Sequence, residues 1–67
     1  MAGFIEKLKE FKEKMVSVET VEGNLVIGKL TEIGDDYVVI ENDGMRKICT
    51  IKNIIFISEQ KEIKRAR

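Results

Sequence analysis

Residues 23–41 read GNLVIGKLTEIGDDYVVIE, and this stretch decides the fold. Val, Ile and Tyr favour β-strands, and the Gly- and Asp-rich segments between them are typical of turns. Gly28 interrupts the first apolar run, and a glycine inside a strand commonly marks a bulge or a tight bend. The stretch therefore predicts two strands of a small, strongly bent sheet, joined by a turn at Gly34-Asp35-Asp36.

Further strands are predicted on both sides of this stretch, because short apolar runs alternate with turn residues along the chain. Asn42-Asp43-Gly44 is the strongest hairpin signal, since these residue types accept the positive φ angles of tight hairpin turns. The connection between the last two predicted strands consists of Lys52 and Asn53, which leaves room for a single 3-10 turn. The predicted strands cover residues 15–21, 25–33, 37–41, 45–51 and 54–57.

An amphipathic helix is predicted over residues 3–14, because apolar residues recur there at helical spacing and Lys and Glu fill the other face. We therefore expect a mainly β fold, in which this helix precedes a five-stranded, strongly bent antiparallel barrel. The barrel domain would occupy residues 1–58, followed by a polar, basic tail over residues 59–67. The apolar helix positions are Phe4, Ile5, Leu8 and Phe11.

The chain of 67 residues is short for a self-sufficient core. Small domains obtain extra stability from disulfides, metals or oligomerisation. A single cysteine, Cys49, and the absence of histidine exclude an intrachain disulfide and leave too few ligands for a zinc site. Oligomerisation therefore remains as the source of extra stability, and a compact monomer is the alternative. The predicted core consists of Leu8, Phe11, Val16, Val18, Leu25, Ile27, Leu30, Ile33, Val38, Ile40, Ile48 and several of residues 51–57.

The last predicted strand breaks the alternation expected when one face of a strand meets water. Its four consecutive large apolar residues place bulk on both faces. Either the N-terminal helix or another subunit must cover the second face, and an exposed apolar strand near a sheet edge favours the subunit. We therefore predict an interface of a homo-oligomer formed by Ile54, Ile55, Phe56 and Ile57.

Charge and hydropathy restrict the partners and the location. Twelve basic and twelve acidic residues cancel, so a nucleic-acid-binding surface would require an uneven distribution of charge. No apolar run approaches the ~20 residues that span a bilayer. The N-terminus lacks the continuous apolar stretch of a secretory signal. With one free cysteine, these features predict a cytoplasmic protein with no membrane partner.

Catalysis is not expected, because histidine, the commonest general base, is absent. Cys49 fits a small buried strand residue better than a nucleophile. Asp35 and Asp36 are adjacent acids in a turn, where such residues cap backbone N–H groups, and a metal site needs more converging oxygen ligands. No phosphate-cradling glycine loop is present. We predict a non-enzymatic protein without a metal, cofactor or small-molecule substrate.

Two glycines, one before the second strand and one within it, follow a spacing of Gly, four residues, Gly, one residue and a branched apolar residue, here Gly23, Gly28 and Leu30. Ile33 and the Asp35–Asp36 pair then precede the third strand. With the preceding helix, these features resemble the Sm-like (LSm/Hfq-like) superfamily of small β-barrels. The resemblance implies a ring, such as a hexamer or heptamer, in which strand four of one subunit pairs with strand five of the next. It also implies binding of single-stranded RNA.

Tyr37 falls where several Sm-like proteins place a residue that contacts RNA bases. The chain departs from the family in an insertion at Gly34, in lacking an asparagine after Tyr37, and in its second motif, which is replaced by residues 49–53. Lys52 and Asn53 are the polar residues of that segment able to reach a base or a phosphate. The resemblance thus implies an RNA site at Asp36, Tyr37, Lys52 and Asn53.

The two predicted turns also resemble those of other SH3-like small barrels, such as the C-terminal module of biotin-protein ligases. The matching segments are residues 33–37 and 42–44. This resemblance implies a protein–protein interaction or structural module that binds no nucleic acid. In that case Tyr37 packs across the sheet, and the exposed side of the last strand is the working surface.

Overall fold

The computed structural model describes residues 2–60, in which a short helix leads into five antiparallel strands. Helix α1 covers Ala2–Leu8 and continues as a 3-10 turn over Lys9–Phe11. A second 3-10 turn precedes the last strand. The elements after the helix are β1 (Met15–Thr20), β2 (Leu25–Ile33), β3 (Tyr37–Asn42), β4 (Met45–Thr50), the 3-10 turn Ile51–Asn53 and β5 (Ile54–Glu59).

The helix is shorter than the predicted 3–14, because the chain starts to pair with β2 before β1 begins. Lys12 is already extended, and Glu13 has a positive φ of 68°. The Glu13 N–H donates to the Leu30 carbonyl at 2.7 Å, and the Leu30 N–H donates to the Lys14 carbonyl at 3.0 Å. These sheet-type hydrogen bonds replace those that a longer helix would make.

All five predicted strands are present, with ends that shift by one or two residues. The Asn42–Met45 hairpin has positive φ at both central residues, 53° at Asp43 and 77° at Gly44, as a type I′ turn requires. Strand β5 extends to Glu59, so the predicted domain boundary after residue 58 falls inside it. The remainder of the predicted tail, residues 61–67, lies outside the described residues.

The strands form one antiparallel sheet in the order β4-β3-β2-β1-β5. Closure into a barrel was expected, but within the described residues β4 and β5 do not pair with each other and the sheet stays open. The ladder between β2 and β3 shifts register between Leu30 and Glu32, and that between β1 and β5 shifts between Glu19 and Thr20. Such bulges bend a strand and increase its twist.

One face of the sheet, called here the inner face, forms the core with α1. Its buried apolar residues are Leu8, Val16, Val18, Leu30, Val38, Ile40 and Ile51, with Phe11 and Ile33 partly buried against them. Leu25, Ile27 and Ile48 were predicted in the core but are exposed on the opposite, outer face. The prediction was wrong because strand alternation puts Val26 and Leu30, not Leu25 and Ile27, on the inner face. Buried Val39, on the outer face, was missed.

Gly28 lies where β2 passes close to the backbone of β3. A Cβ atom at this position would come within 2.6 Å of the Glu41 carbonyl oxygen and 2.7 Å of the Ile40 Cγ2 atom. Backbone cannot retreat as a flexible side chain can, so a larger residue would push β3 away from β2. The bend signal in the sequence therefore corresponds to a close strand approach that requires glycine.

We expect Gly28→Ala to lower the free energy of unfolding by about 1–3 kcal/mol, the usual cost of forcing an extra carbon into a packed site. Urea denaturation followed by circular dichroism would measure the change. Gly3→Ala is the matched control, since a Cβ there meets nothing within 4 Å and alanine favours the helix. Equal stability of Gly28→Ala and the wild type would contradict the close approach.

Candidate functional site

The two end strands of the sheet are the first candidate for a binding surface. Neither β4 nor β5 has a second strand partner among residues 2–60. Each therefore presents a row of backbone N–H and C=O groups that another strand could pair with. Each also exposes large apolar side chains, with Ile48 66% exposed on β4 and Phe56 52% exposed on β5. An unpaired backbone next to apolar side chains is suited to strand addition.

The four residues of the predicted interface divide between two environments. Ile54 and Ile57 are half-buried and pack against the core of their own chain. Ile55 and Phe56 are exposed, at the point where a bulge shifts the pairing with β1. Nothing among the described residues fully covers Ile55 and Phe56, so the second face of β5 is left partly open within one chain.

Side-chain direction on the two edges follows from the strand pairing. Ile48 is opposite Val39, on the outer face. Phe56 is opposite Glu19, which is in turn opposite Leu25, and this row also lies on the outer face. The exposed apolar residues Ile48 and Phe56 therefore point to the same side of the sheet from its two ends.

A groove of about 230 Å³ opens on the inner face next to β4. Its apolar lining includes buried Ile40, and Met45 and Lys47 of the edge strand β4 line its side next to the sheet edge. The Asn42 side-chain amide closes one end by donating to the Ile27 carbonyl at 3.0 Å. The lining residues are Val26, Ile27, Ile40, Asn42, Asp43, Met45 and Lys47.

The four residues predicted to contact RNA lie around one end of β3 and β4. The Ile51 N–H donates to the Asp36 carbonyl at 2.8 Å, and Tyr37 is directly opposite Thr50. Lys52 and Asn53 follow in the 3-10 turn, both exposed. The backbone contacts thus bring Asp36 and Tyr37 close to the segment that carries Lys52. The Asn53 carbonyl accepts from Val21 at 2.8 Å, which ties this turn to the end of β1.

Tyr37 is held in an acidic environment. Its hydroxyl donates to Glu32 Oε2 at 2.8 Å, and its ring lies directly over Gly34. The hydrogen bond to Glu32 raises the pKa of Tyr37 above its ordinary value, and the negative charge of Glu32 raises it further. Burial, Asp36 and Asp35 add smaller effects in the same direction. One face of the ring is therefore covered, and carboxylates rather than cations surround its hydroxyl.

Glu32 is the residue of this cluster that sequence reasoning missed. The turn between β2 and β3 pairs Ile33 with Val38 and, in the same register, Glu32 with Val39, so Glu32 and Tyr37 are diagonal neighbours on one face of the ladder. The sequence predicted both strands, and counting back from the turn would have placed Glu32 beside Tyr37, but the register of the pairing was not predicted.

Cys49 and the metal-binding side chains are the groups of the described part that bear on reactivity. Burial raises the pKa of the Cys49 thiol, against a smaller lowering by Lys47, and a raised pKa leaves less thiolate for attack. Within residues 2–60, no three metal-binding side chains converge. None of the helices in this part has the length and apolar content to cross a bilayer.

We expect Glu32→Gln to lower the pKa of Tyr37 towards its ordinary value, because the substitution removes the charge that opposes tyrosinate. Tyr37 is the chain's one tyrosine and there is no tryptophan, so tyrosinate absorbance reports on it alone. Glu41→Gln is the matched control, since Glu41 faces Lys29 and Arg46 instead. An unchanged pKa in Glu32→Gln would contradict the hydrogen bond.

The sign of the effect on stability follows from the same shift. Because the pKa of Tyr37 is higher in the folded state, its stabilising contribution is complete below the unfolded-state pKa. It is lost as the pH rises through the folded-state pKa. The wild type should therefore lose more stability than Glu32→Gln on strongly alkaline titration, as urea denaturation at several pH values would measure.

Comparison with curated proteins gives no match. The Sm-like and SH3-like resemblances stay predictions. A family model does match residues 4–58, which is most of the chain and includes α1 from Phe4 onward and all of β1 to β4. Its description is a domain of unknown function, DUF2642, and assigns no activity. The chain belongs to this DUF2642 family.

Proposed function

We propose that this domain is a non-enzymatic assembly module whose copies join head to tail, with β4 of one copy pairing with β5 of the next. The observation that supports this most directly is the open sheet, with an unpaired, apolar strand at each end of the described part. Contacts between two different surfaces of identical chains generate a ring when the rotation closes. A homo-oligomeric ring is therefore the expected product.

The small core gives assembly a thermodynamic advantage. A chain of this length buries a limited share of its apolar surface on folding, so each exposed apolar side chain that becomes buried at an interface adds appreciably to stability. Ile48 and Phe56 are two such side chains, one on each edge strand. Strand pairing at the same time satisfies backbone groups that otherwise bond to water.

Size-exclusion chromatography with light scattering tests the assembly on protein freed of nucleic acid. Six copies of the 7.7 kDa chain correspond to about 46 kDa and seven to about 54 kDa. A mass in this range supports the ring. A monomeric mass at micromolar concentration would overturn the proposal and favour a module that binds a different protein.

We expect Ile48→Lys and Phe56→Lys each to shift the mass towards 7.7 kDa, because a buried, unpaired charge would oppose strand pairing. Both side chains are exposed in the single chain, so the fold should persist in far-ultraviolet circular dichroism. Leu25→Lys is the matched control, since Leu25 is 62% exposed on the same outer face but lies on the interior strand β2. An unchanged mass in both edge variants would contradict the interface.

Binding of single-stranded RNA is the second candidate, favoured by the contact that brings Tyr37 close to the turn carrying Lys52. RNA is commonly held by bases stacked on aromatic rings with cations near the phosphates. The charge distribution argues against RNA binding. Residues 2–60 contain eight Lys and Arg against eleven Asp and Glu, and the basic excess lies in residues 61–67. Assembly therefore ranks first.

If RNA binds at this end of the sheet, Lys52→Ala should weaken binding and reduce the salt dependence by about one phosphate contact, a slope change of about 0.7. Fluorescence anisotropy with a labelled single-stranded oligonucleotide at several salt concentrations measures both. Tyr37→Ala should also weaken binding, whereas Tyr37→Phe keeps the stacking ring and serves as its control. No affinity of the wild type at low salt would exclude this function.

A further inference from the structure

We infer that β4 of one copy pairs antiparallel with β5 of the next, with Ile48 opposite Ile57 and Arg46 opposite Glu59 of the second copy. In this joint the outer face of one copy adjoins the inner face of the next. The inference rests on the proposed assembly and specifies the direction of its strands, their register and the residues that meet.

The direction of the edge strands decides which faces meet at a joint. Every strand of the sheet is antiparallel to its neighbours, so the order β4-β3-β2-β1-β5 makes the two end strands run in the same direction. To pair antiparallel with β5, a second copy must therefore turn its sheet over. Outer-face residues of β4, such as Ile48, then lie on the same side as inner-face residues of β5, such as Ile57.

The free backbone groups of β4 belong to its outer-face residues. Bonded and non-bonded pairs alternate along an antiparallel ladder, so every second residue of an edge strand points its N–H and C=O groups away from its neighbour. Just after β4, the Ile51 N–H donates to the Asp36 carbonyl at 2.8 Å. Counting back along the ladder with β3, the groups of Arg46, Ile48 and Thr50 therefore point to the open edge.

The free backbone groups of β5 belong to its inner-face residues. The Gln60 N–H donates to the Met15 carbonyl at 2.8 Å. The same alternation along the ladder with β1 leaves the groups of Ile57 and Glu59 at the open edge. An antiparallel joint can therefore form bonded pairs between outer residues of β4 and inner residues of β5, which is the combination that the turned-over sheet places on one side.

The inferred register joins each exposed apolar residue to one that packs against a core. Ile48, 66% exposed, lies opposite Ile57 of the second copy, which packs against the core of that copy. Phe56 of the second copy, 52% exposed, lies opposite Cys49, which packs against the core of the first. Directly opposed cross-strand pairs of this kind stabilise a sheet, so both faces of the joint gain apolar contacts.

Charges on the two edges also complement each other. Arg46 forms no ion pair within the described residues, and Glu59 contacts Lys14 at the long distance of 3.9 Å. The inferred register sets Arg46 directly opposite Glu59 of the second copy, as a cross-strand pair of opposite charge. A parallel joint would separate these charges, because Arg46 lies near the start of β4 and Glu59 at the end of β5.

A shift of the register by two residues loses these contacts. In one direction Ile48 comes opposite Glu59 of the second copy, and in the other Arg46 comes opposite its Ile57. Either shift sets an apolar residue against a charged one. A shift by one residue is excluded because it reverses the side of every side chain.

Disulfide trapping reads this register directly. Lys47 and Ser58 are exposed and become directly opposite each other in a non-bonded pair, whose Cα atoms lie about 4.5 Å apart, within the range of a disulfide. In a Cys49→Ala background, which removes the native thiol, Lys47→Cys with Ser58→Cys should form intermolecular disulfides under mild oxidation. Because each copy carries both cysteines, head-to-tail assembly yields a ladder of covalent multimers on a non-reducing gel.

Three control pairs in the same background report the alternatives. Thr50→Cys with Ser58→Cys reports a parallel joint that keeps both outer faces on one side. Met45→Cys with Ser58→Cys, and Lys47→Cys with Gln60→Cys, report the two registers shifted by two residues. In the inferred pairing these last positions are diagonal, about 7–8 Å apart and too far for a disulfide. We expect a yield of multimers lower by about tenfold from each control pair.

A charge exchange tests the ion pair independently of cross-linking. Arg46→Glu or Glu59→Arg alone sets like charges opposite each other and should raise the concentration at which the oligomer dissociates by about tenfold. The double variant restores opposite charges at every joint and should recover the wild-type mass in light scattering. Arg46→Glu with Glu41→Arg is the matched control, since it exchanges charges within one copy and should not recover assembly.

The outcomes separate the register from the assembly. A ladder from a control pair, no ladder from the Lys47–Ser58 pair in an oligomeric variant, or no recovery in the charge-exchanged double variant overturns the register and leaves assembly standing. A monomeric mass of the wild type overturns the proposed function, and the inferred register with it. Circular dichroism of each variant confirms that the chain is folded.

Discussion

The close approach of β3 to β2 at Gly28 is the constraint on which the rest of the fold depends. The space between the Glu41 carbonyl and the β2 backbone accepts no Cβ atom. Because β2 is the one strand that bonds both to the β1–β5 side and to the β3–β4 side, its bend determines how the two halves face each other. Leu30 and Ile40, opposite each other just beyond this point, are then buried together with Leu8 of the helix.

Local signals in the sequence were sufficient for the elements of this fold. Asp43-Gly44 identified the hairpin because its residues accept positive φ, and Gly28 identified the bend because only glycine fits there. The face of the sheet on which each side chain lies was harder to predict. Leu25 and Ile27 alternate as a core strand would, and only the pairing of Val26 with buried Val18 shows that their neighbours point inward. The end of α1 depends on a tertiary hydrogen bond from Glu13 to Leu30, which no local sequence pattern indicates.

The candidate site shows the same division between local and tertiary information. Tyr37 and Lys52 could be selected from the sequence as a stacking residue and a cation, and backbone contacts do bring their segments together. The orientation of the ring was not predicted, since it depends on a hydrogen bond to Glu32 on the neighbouring strand. The neutral total charge was equally uninformative, because an acidic folded part and a basic end cancel in the sum.

An open sheet with two apolar edges is a hazard for a protein that remains a monomer. Natural monomers protect edge strands with charges, bulges or covering segments. Here Arg46 and Lys47 lie on β4, but Ile48 after them is 66% exposed, and Ile55 and Phe56 stay exposed beside the bulge of β5. Ile48 and Phe56 point to the same face of the sheet from its two ends. Defined pairing between copies removes both edges at once, whereas uncontrolled pairing would lead to aggregation. In the proposed assembly each of these edges would gain a strand partner of its own length, since β4 and β5 both contain six residues.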